Sequence, residues 1–70
     1  MVNLDLLRCK VSESGMTVQA IAEKSGILRE TFYNRLKKGD FKASEVQRIT
    51  EVLRLTRDER DQIFFAPDVN

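Results

Sequence analysis

Apolar side chains recur three and four positions apart along the chain, which is the period of amphipathic α-helices rather than of strands. The pattern divides into five stretches, and glycines separate the first four of them. We therefore predict an all-α fold of five helices in one domain, residues 1–66. A short tail, residues 67–70, is expected to follow, because Pro67 is a usual stop after a helix.

Side chains that favour helix ends set the predicted boundaries. Asparagine and threonine accept hydrogen bonds from the first backbone N–H groups of a helix, and glycine ends a helix by adopting a positive φ. These signals predict helices that begin after Asn3, Thr17 and Thr56 and helices that end at Gly15, Ser25 and Gly39, with the third running from about Leu28 to Lys38. Thr56 with Glu59 forms a capping box for the fifth helix.

The second and third stretches are the most informative. They read TVQAIAEKSGILRETFYNRLKK from residue 17 to residue 38. Ala22 is small enough for two helices to cross closely, Gly26 tolerates a sharp turn, and Phe32 anchors an apolar face shared with Leu28 and Leu36. This combination is typical of a helix-turn-helix, whose second helix enters a DNA groove. An ordinary helical hairpin with a solvated charged face is the alternative.

The apolar residues exceed what so small a domain is expected to bury. The predicted core consists of Leu4, Leu7, Val11, Met16, Val18, Ile21, Ala22, Ile27, Phe32, Leu36, Phe41, Val46, Ile49, Leu53 and Ile63. Val52, Phe64 and Phe65 are left over in the last two stretches, and exposed aromatic clusters often mark an association surface. We expect these three residues to form a homodimer contact, although Phe64 could instead cap the core.

Charge adds a local feature to this pattern. The net charge of the chain is only +1, which argues against a strong global attraction to DNA. The basic excess lies between Arg29 and Arg54, where seven basic residues outnumber four acidic ones. The patch coincides with the predicted second helix of the motif, so we interpret it as functional rather than as ordinary solvated surface.

The segment MTVQAIAEKSGILRETFYNRLKKGDF resembles the helix-turn-helix of the Xre/Cro phage-repressor-like family. The resemblance continues through FKASEVQRITEVLRLTRDERDQIFF and covers roughly residues 3–66. It implies a compact five-helix, lambda-repressor-like domain that binds duplex DNA, usually as a symmetric dimer, and it suggests a phage or prophage transcriptional regulator. The chain departs from the family pattern at Leu28, where Ser or Thr is common, and at Val18, where Gln is common.

The resemblance also bears on the start of the fourth helix. Ser44 with Gln47 forms a possible capping box, whereas the family register begins this helix near Lys42. Both starts are open at this point.

The outer face of the third helix carries the predicted DNA contacts. Arginine pairs bidentately with guanine and asparagine with adenine, so Arg29 and Asn34 are the first choices for base contacts. Glu30 could accept a hydrogen bond from cytosine, and Tyr33 could pack on a thymine methyl group or reach a phosphate. Phosphate contacts are expected from Lys37, Lys38, Lys42 and Thr17.

The sequence gives little indication of metal binding, a disulfide or catalysis. The chain has no histidine and one cysteine, so we predict no metal site, no disulfide and no cofactor. Cys9 is expected to be a partly buried packing residue, because free cysteine behaves as a small hydrophobe. The carboxylates are scattered, and no glycine-rich phosphate loop occurs, so we expect neither an enzyme nor a small-molecule substrate. The sequence shows no signal peptide and no membrane-spanning run, so we expect a cytoplasmic protein.

A second class of function stays open. A protein of this fold could bind another regulator instead of DNA, and the weak net charge suits such a protein-interaction module.

Overall fold

The computed structural model describes residues 2–65, which form five α-helices. They are α1 (Leu4–Ser14), α2 (Val18–Lys24), α3 (Arg29–Lys38), α4 (Ala43–Leu53) and α5 (Arg57–Phe64). No strand occurs in this part of the chain, which confirms the predicted all-α class and the number of helices. The predicted tail, residues 67–70, lies outside the described residues.

The predicted helix ends are mostly confirmed. Asn3 Oδ1 accepts a hydrogen bond from the backbone N–H of Leu6, and Thr17 Oγ1 accepts one from the N–H of Ala20, each at 3.1 Å. Gly15 and Gly39 end α1 and α3 with φ of 73° and 69°, a region that L-residues with side chains rarely adopt.

The start of α4 follows the family register and not the Ser44 capping box. Lys42 is the N-cap residue, and Ser44 lies inside the first turn. Glu45 Oε1 accepts a hydrogen bond from the backbone N–H of Lys42 at 2.8 Å. The residue that closes the box is therefore Glu45, three positions after Lys42, and not Gln47, three positions after Ser44.

The predicted inner face of α3 is wrong at Leu28. Leu28 is the N-cap residue, with φ of −61° and ψ of 142°, so its backbone is extended and leaves the helical register. Its side chain is 78% exposed, whereas Phe32 and Leu36 are buried as predicted. The preceding residue, Ile27, is buried in its place.

The core lies where the helical pattern places it. The buried apolar residues are Leu7, Ile21, Ala22, Ile27, Phe32, Leu36, Val46, Ile49, Ile63 and Phe64. The other members of the predicted core, Leu4, Val11, Met16, Val18, Phe41 and Leu53, are half-buried and pack against it. Helix α4 packs on α1, α2 and α5, whereas α3 packs chiefly on α2.

Phe64 belongs to the core, which corrects its assignment to a dimer contact. It is 4% exposed and meets Phe41 edge to face, with ring centroids 5.5 Å apart. Phe41 in turn meets Phe32 edge to face at 6.0 Å. This arrangement of three rings joins α3 to α5 through the segment between α3 and α4, because aromatic edges and faces attract.

Cys9 is also placed differently from the prediction. It is exposed on α1, whereas Leu7, two positions before it, is fully buried. Residues two apart on a helix do not share a face, so the cysteine points away from the core.

Candidate nucleic-acid interface

The predicted base-contact residues lie together on the outer face of α3. Arg29, Glu30, Tyr33 and Asn34 are all exposed and line one shallow depression. Their spacing of one, four and five positions places them on a single helical face. The structure therefore brings these four side chains together on one surface, which we call the α3 outer surface.

Arg29 and Tyr33 interact within this surface. The guanidinium carbon of Arg29 lies 5.6 Å from the centre of the Tyr33 ring, within the range of a cation–π contact. Arg29 is itself exposed, so its guanidinium group stays on the surface beside the ring. The ring restricts the motion of the guanidinium group without neutralising its charge. A side chain that is already restricted loses less conformational entropy when it binds.

The opposite face of α3 fixes the helix to the domain. Phe32 is fully buried, and Leu36 is 9% exposed. Arg35 points towards α4, and its Nε lies 3.0 Å from Glu45 Oε1. Arg35 therefore contributes its charge to an ion pair behind the helix and not to the outer surface.

Glu45 holds two elements at once. Its carboxylate accepts hydrogen bonds from Arg35 and from the backbone N–H of Lys42. Burial acts to raise the pKa of this carboxyl group, but the hydrogen bonds from Lys42 and Arg35 together outweigh burial and lower it. Glu45 therefore stays ionised and ties the end of α3 to the start of α4.

The predicted phosphate contacts from lysines surround the end of α3. Lys37 and Lys38 occupy its last turn, and Lys42 precedes α4; all three are exposed. Within residues 2–65, none of these lysines forms an ion pair. Cations also favour the negative end of a helix dipole, so Lys37 and Lys38 suit the helix as well as a phosphate.

Thr17 lies at the start of α2, outside the depression on α3. Its Oγ1 accepts from the N–H of Ala20, and its hydroxyl hydrogen is still able to donate. The adjoining residue, Val18, lines a second groove that also contains Tyr33 and Asn34. Thr17 therefore sits beside that groove and not among the side chains of the α3 outer surface.

The second groove reveals a residue that the sequence did not single out. Arg8 of α1 lines it together with Lys37 of α3, at the border of the α3 outer surface. No local signal marks Arg8, because only the packing of α1 shows that it adjoins α3. Leu28 was assigned to the inner face because an apolar residue at the start of an amphipathic run fits that face by its spacing.

A separate groove of about 550 Å³ lies between α4 and α5. Its lining combines apolar side chains, Val46 and Phe65 among them, with polar and charged ones that include Glu51 and Arg60. Phe65 is 60% exposed, whereas Val52 is half-buried and packs against the core. Of the three predicted dimer residues, Phe65 is thus the one whose side chain is available on the surface.

Among residues 2–65, no helix combines the length and apolar character needed to cross a membrane. The same part of the chain holds no group of three or more side chains placed to bind a metal ion. Comparison with protein-family models, curated proteins and solved structures found no match for this chain.

Proposed function

We propose that this protein binds duplex DNA in a sequence-specific manner and regulates transcription, with α2 and α3 acting as a helix-turn-helix of the lambda-repressor-like kind. One observation carries the proposal: four side chains suited to base edges are exposed together on α3, the opposite face of which is buried. A rigid helix with one anchored face can place the other face in a major groove. The resemblance to the Xre/Cro family supports the same reading.

Within this proposal, Arg29 and Asn34 read bases. Arg29 donates two hydrogen bonds to guanine, and Asn34 pairs bidentately with adenine. Tyr33 holds the Arg29 guanidinium in place and presents its ring edge to the groove. Glu30 accepts from cytosine or disfavours sites with an acceptor at that position.

Phosphate contacts come from both sides of α3. Lys37, Lys38 and Lys42 hold one strand at the end of α3, and Thr17 donates to the other strand at the start of α2. Arg8 adds a contact from α1, because it borders the same groove as Lys37. With a net charge of only +1, these few local contacts supply the electrostatic part of the binding energy.

Within this proposal, the protein binds DNA as a homodimer in the cytoplasm. One domain of this size reads few base pairs, whereas two copies related by a two-fold axis read two half-sites about 34 Å apart. The groove between α4 and α5, with Phe65 at its side, is the proposed contact. Because α3 packs chiefly on α2, a contact through α5 leaves both α3 helices accessible.

A protein-interaction module is the second candidate. The weak net charge and the exposed apolar side chains of Leu28 and Phe65 favour it. In that case the exposed face of α3 would contact another regulator instead of base pairs.

Selection of bound sequences from a random duplex pool at low salt tests DNA binding. We expect one sequence to be enriched and the affinity for it to fall as salt rises. Failure to enrich any sequence, together with capture of a defined protein by the same surface, would support the second candidate.

Substitutions then locate the contacts. Arg29→Ala and Asn34→Ala should each reduce binding to the selected site by about 1–3 kcal/mol and relax the preference at one position. Arg57→Ala is the matched control, because it removes an equal charge from an exposed position on α5. An unchanged sequence preference in the α3 variants would remove these residues from base recognition.

Phe65→Glu tests the dimer. Phe65 is exposed, so the fold should persist, but the buried charge at the contact should weaken binding to a DNA with two half-sites far more than to one half-site. Equal losses on both DNAs, or one protein per two-site DNA, would contradict the proposed dimer.

A further inference from the structure

Leu28 is the most exposed large apolar side chain in the described part of the chain. Its side chain is 78% exposed, compared with 45% for Tyr33 and 60% for Phe65. Tyr33 packs on Arg29, and Phe65 borders the α4–α5 groove, so both have a local neighbour that accounts for their position. Leu28 is not buried, and no comparable neighbour accounts for its position.

The position of Leu28 makes this exposure informative. It is the N-cap residue of α3, where Ser, Thr, Asp or Asn would accept a hydrogen bond from a free N–H group. Leucine makes no such bond, and α3 has no side-chain cap. The backbone carbonyl of Leu28 accepts from the N–H of Phe32 at 2.8 Å, but any residue could provide that carbonyl. The side chain therefore supplies neither a cap nor a buried contact area of the size that the core residues supply.

Leu28 also directly precedes Arg29, the first residue of the α3 outer surface. A single exposed leucine is ordinary on a protein surface. Here, however, the exposed leucine is the chain neighbour of Arg29, a residue that we propose to face base pairs. Only one group in the major groove offers an apolar contact, the 5-methyl group of thymine.

We propose that Leu28 is a specificity-determining residue that packs on the 5-methyl group of a thymine beside the base read by Arg29. The inference rests on the proposed DNA binding and adds one element of recognition to it. An apolar side chain cannot hydrogen-bond to cytosine or guanine, so it disfavours those bases as well as attracting the methyl group.

Uracil substitution tests this contact directly, because deoxyuridine differs from thymidine only by the missing methyl group. Each thymine of the selected duplex is replaced in turn, and binding is measured for the wild type and for Leu28 variants. We expect one thymine per half-site whose replacement weakens wild-type binding about three- to fivefold, as the loss of one buried methyl group does. Leu28→Ala and Leu28→Ser should show no loss at that position.

A further variant, Leu28→Met, and the serine variant together separate recognition from folding. Leu28→Met keeps an apolar side chain and should keep the discrimination against uracil. Leu28→Ser should lose it while raising the thermal stability, because serine caps the helix. A merely structural leucine would not produce these opposite changes.

The outcomes distinguish this inference from the proposed function. Equal binding of thymine and uracil duplexes by the wild type would overturn the role of Leu28 and leave sequence-specific DNA binding intact. The same holds if Leu28→Ala retains the full uracil effect. Failure of the wild type to bind any duplex would overturn both.

Discussion

The α5 helix and the α3 helix begin in opposite ways. At the start of α5, Thr56 Oγ1 accepts from the N–H of Glu59, and Glu59 Oε1 accepts from the N–H of Thr56 at 2.8 Å. This reciprocal capping box satisfies two backbone groups, and Glu59 also contacts Lys10 of α1. At the start of α3, by contrast, Leu28 makes no side-chain cap and exposes its side chain to solvent.

The difference between the two helix starts distinguishes the demands of stability from those of binding. The start of α5 has a capping box and two acidic residues in its first turn, and its ion pair attaches the helix to α1. The start of α3 lacks such a side-chain cap, although Phe32 and Leu36 anchor that helix firmly. Residues that break a local rule without an evident gain in stability tend to lie at functional sites. The comparison therefore supports a binding role for α3 and a structural role for the start of α5.

The largest effect is expected from the anchor of α3. Phe32→Ala removes a fully buried ring and should lower the free energy of unfolding by roughly 3–5 kcal/mol. Tyr33→Ala, the next residue along, should change the free energy of unfolding by less than about 1 kcal/mol, because its side chain is half exposed. Urea unfolding of both variants measures the contrast. Similar losses in the two would show that α3 is oriented differently.

The two helix starts should respond in opposite directions to substitution. Thr56→Ala should lower the free energy of unfolding by about 1 kcal/mol, because it removes a cap. Leu28→Ser should raise it by up to about 1 kcal/mol, because it adds one. Thermal unfolding at matched protein concentration records both changes. A destabilising Leu28→Ser would mean that the leucine contributes to the fold after all.

The smallest effect is expected from pH, again at the start of α5. The hydrogen bond from Lys10, aided by the N–H of Thr56, lowers the pKa of Glu59 from 4.5 to about 2. The ionised carboxylate therefore stabilises the folded state above about pH 4.5, and this contribution is lost as the pH falls towards 2. Glu59→Gln should be less stable than the wild type at pH 6, and the difference should shrink at pH 2.

Glu23→Gln is the control for the pH experiment. Glu23 is exposed on α2 and forms no ion pair within residues 2–65, so its replacement should leave the difference between pH 6 and pH 2 as it is in the wild type. If the gap between wild type and Glu59→Gln stays constant from pH 6 to pH 2, the Lys10–Glu59 contact does not stabilise the domain.

Much of the fold follows from the sequence because its signals are local. The caps at Asn3, Thr17 and Thr56 and the glycine ends at Gly15 and Gly39 each depend on a few neighbouring residues. The helical period then identifies most of the core. These features require no knowledge of how the helices pack against one another.

The incorrect or missing predictions concern residues whose surroundings depend on how the helices pack or on the backbone conformation. Phe64 is buried and meets Phe41, a residue 23 positions earlier in the chain, and no local pattern contains that contact. Arg8 borders α3 only through the placement of α1. Leu28 and Cys9 look like packing residues by type, but their backbone positions direct them outwards. The four predicted base-contact residues lie together because they share one helix.

The central claim is that the outer surface of α3 binds duplex DNA, and the most direct test is a titration of the selected duplex into ¹⁵N-labelled protein, followed by NMR. We expect amide shifts to cluster from Leu28 to Lys38 and near Thr17, and we expect the start of α5 at Thr56 to change little. A duplex that causes no shifts at low salt would contradict the account. So would shifts confined to the α4–α5 groove around Phe65.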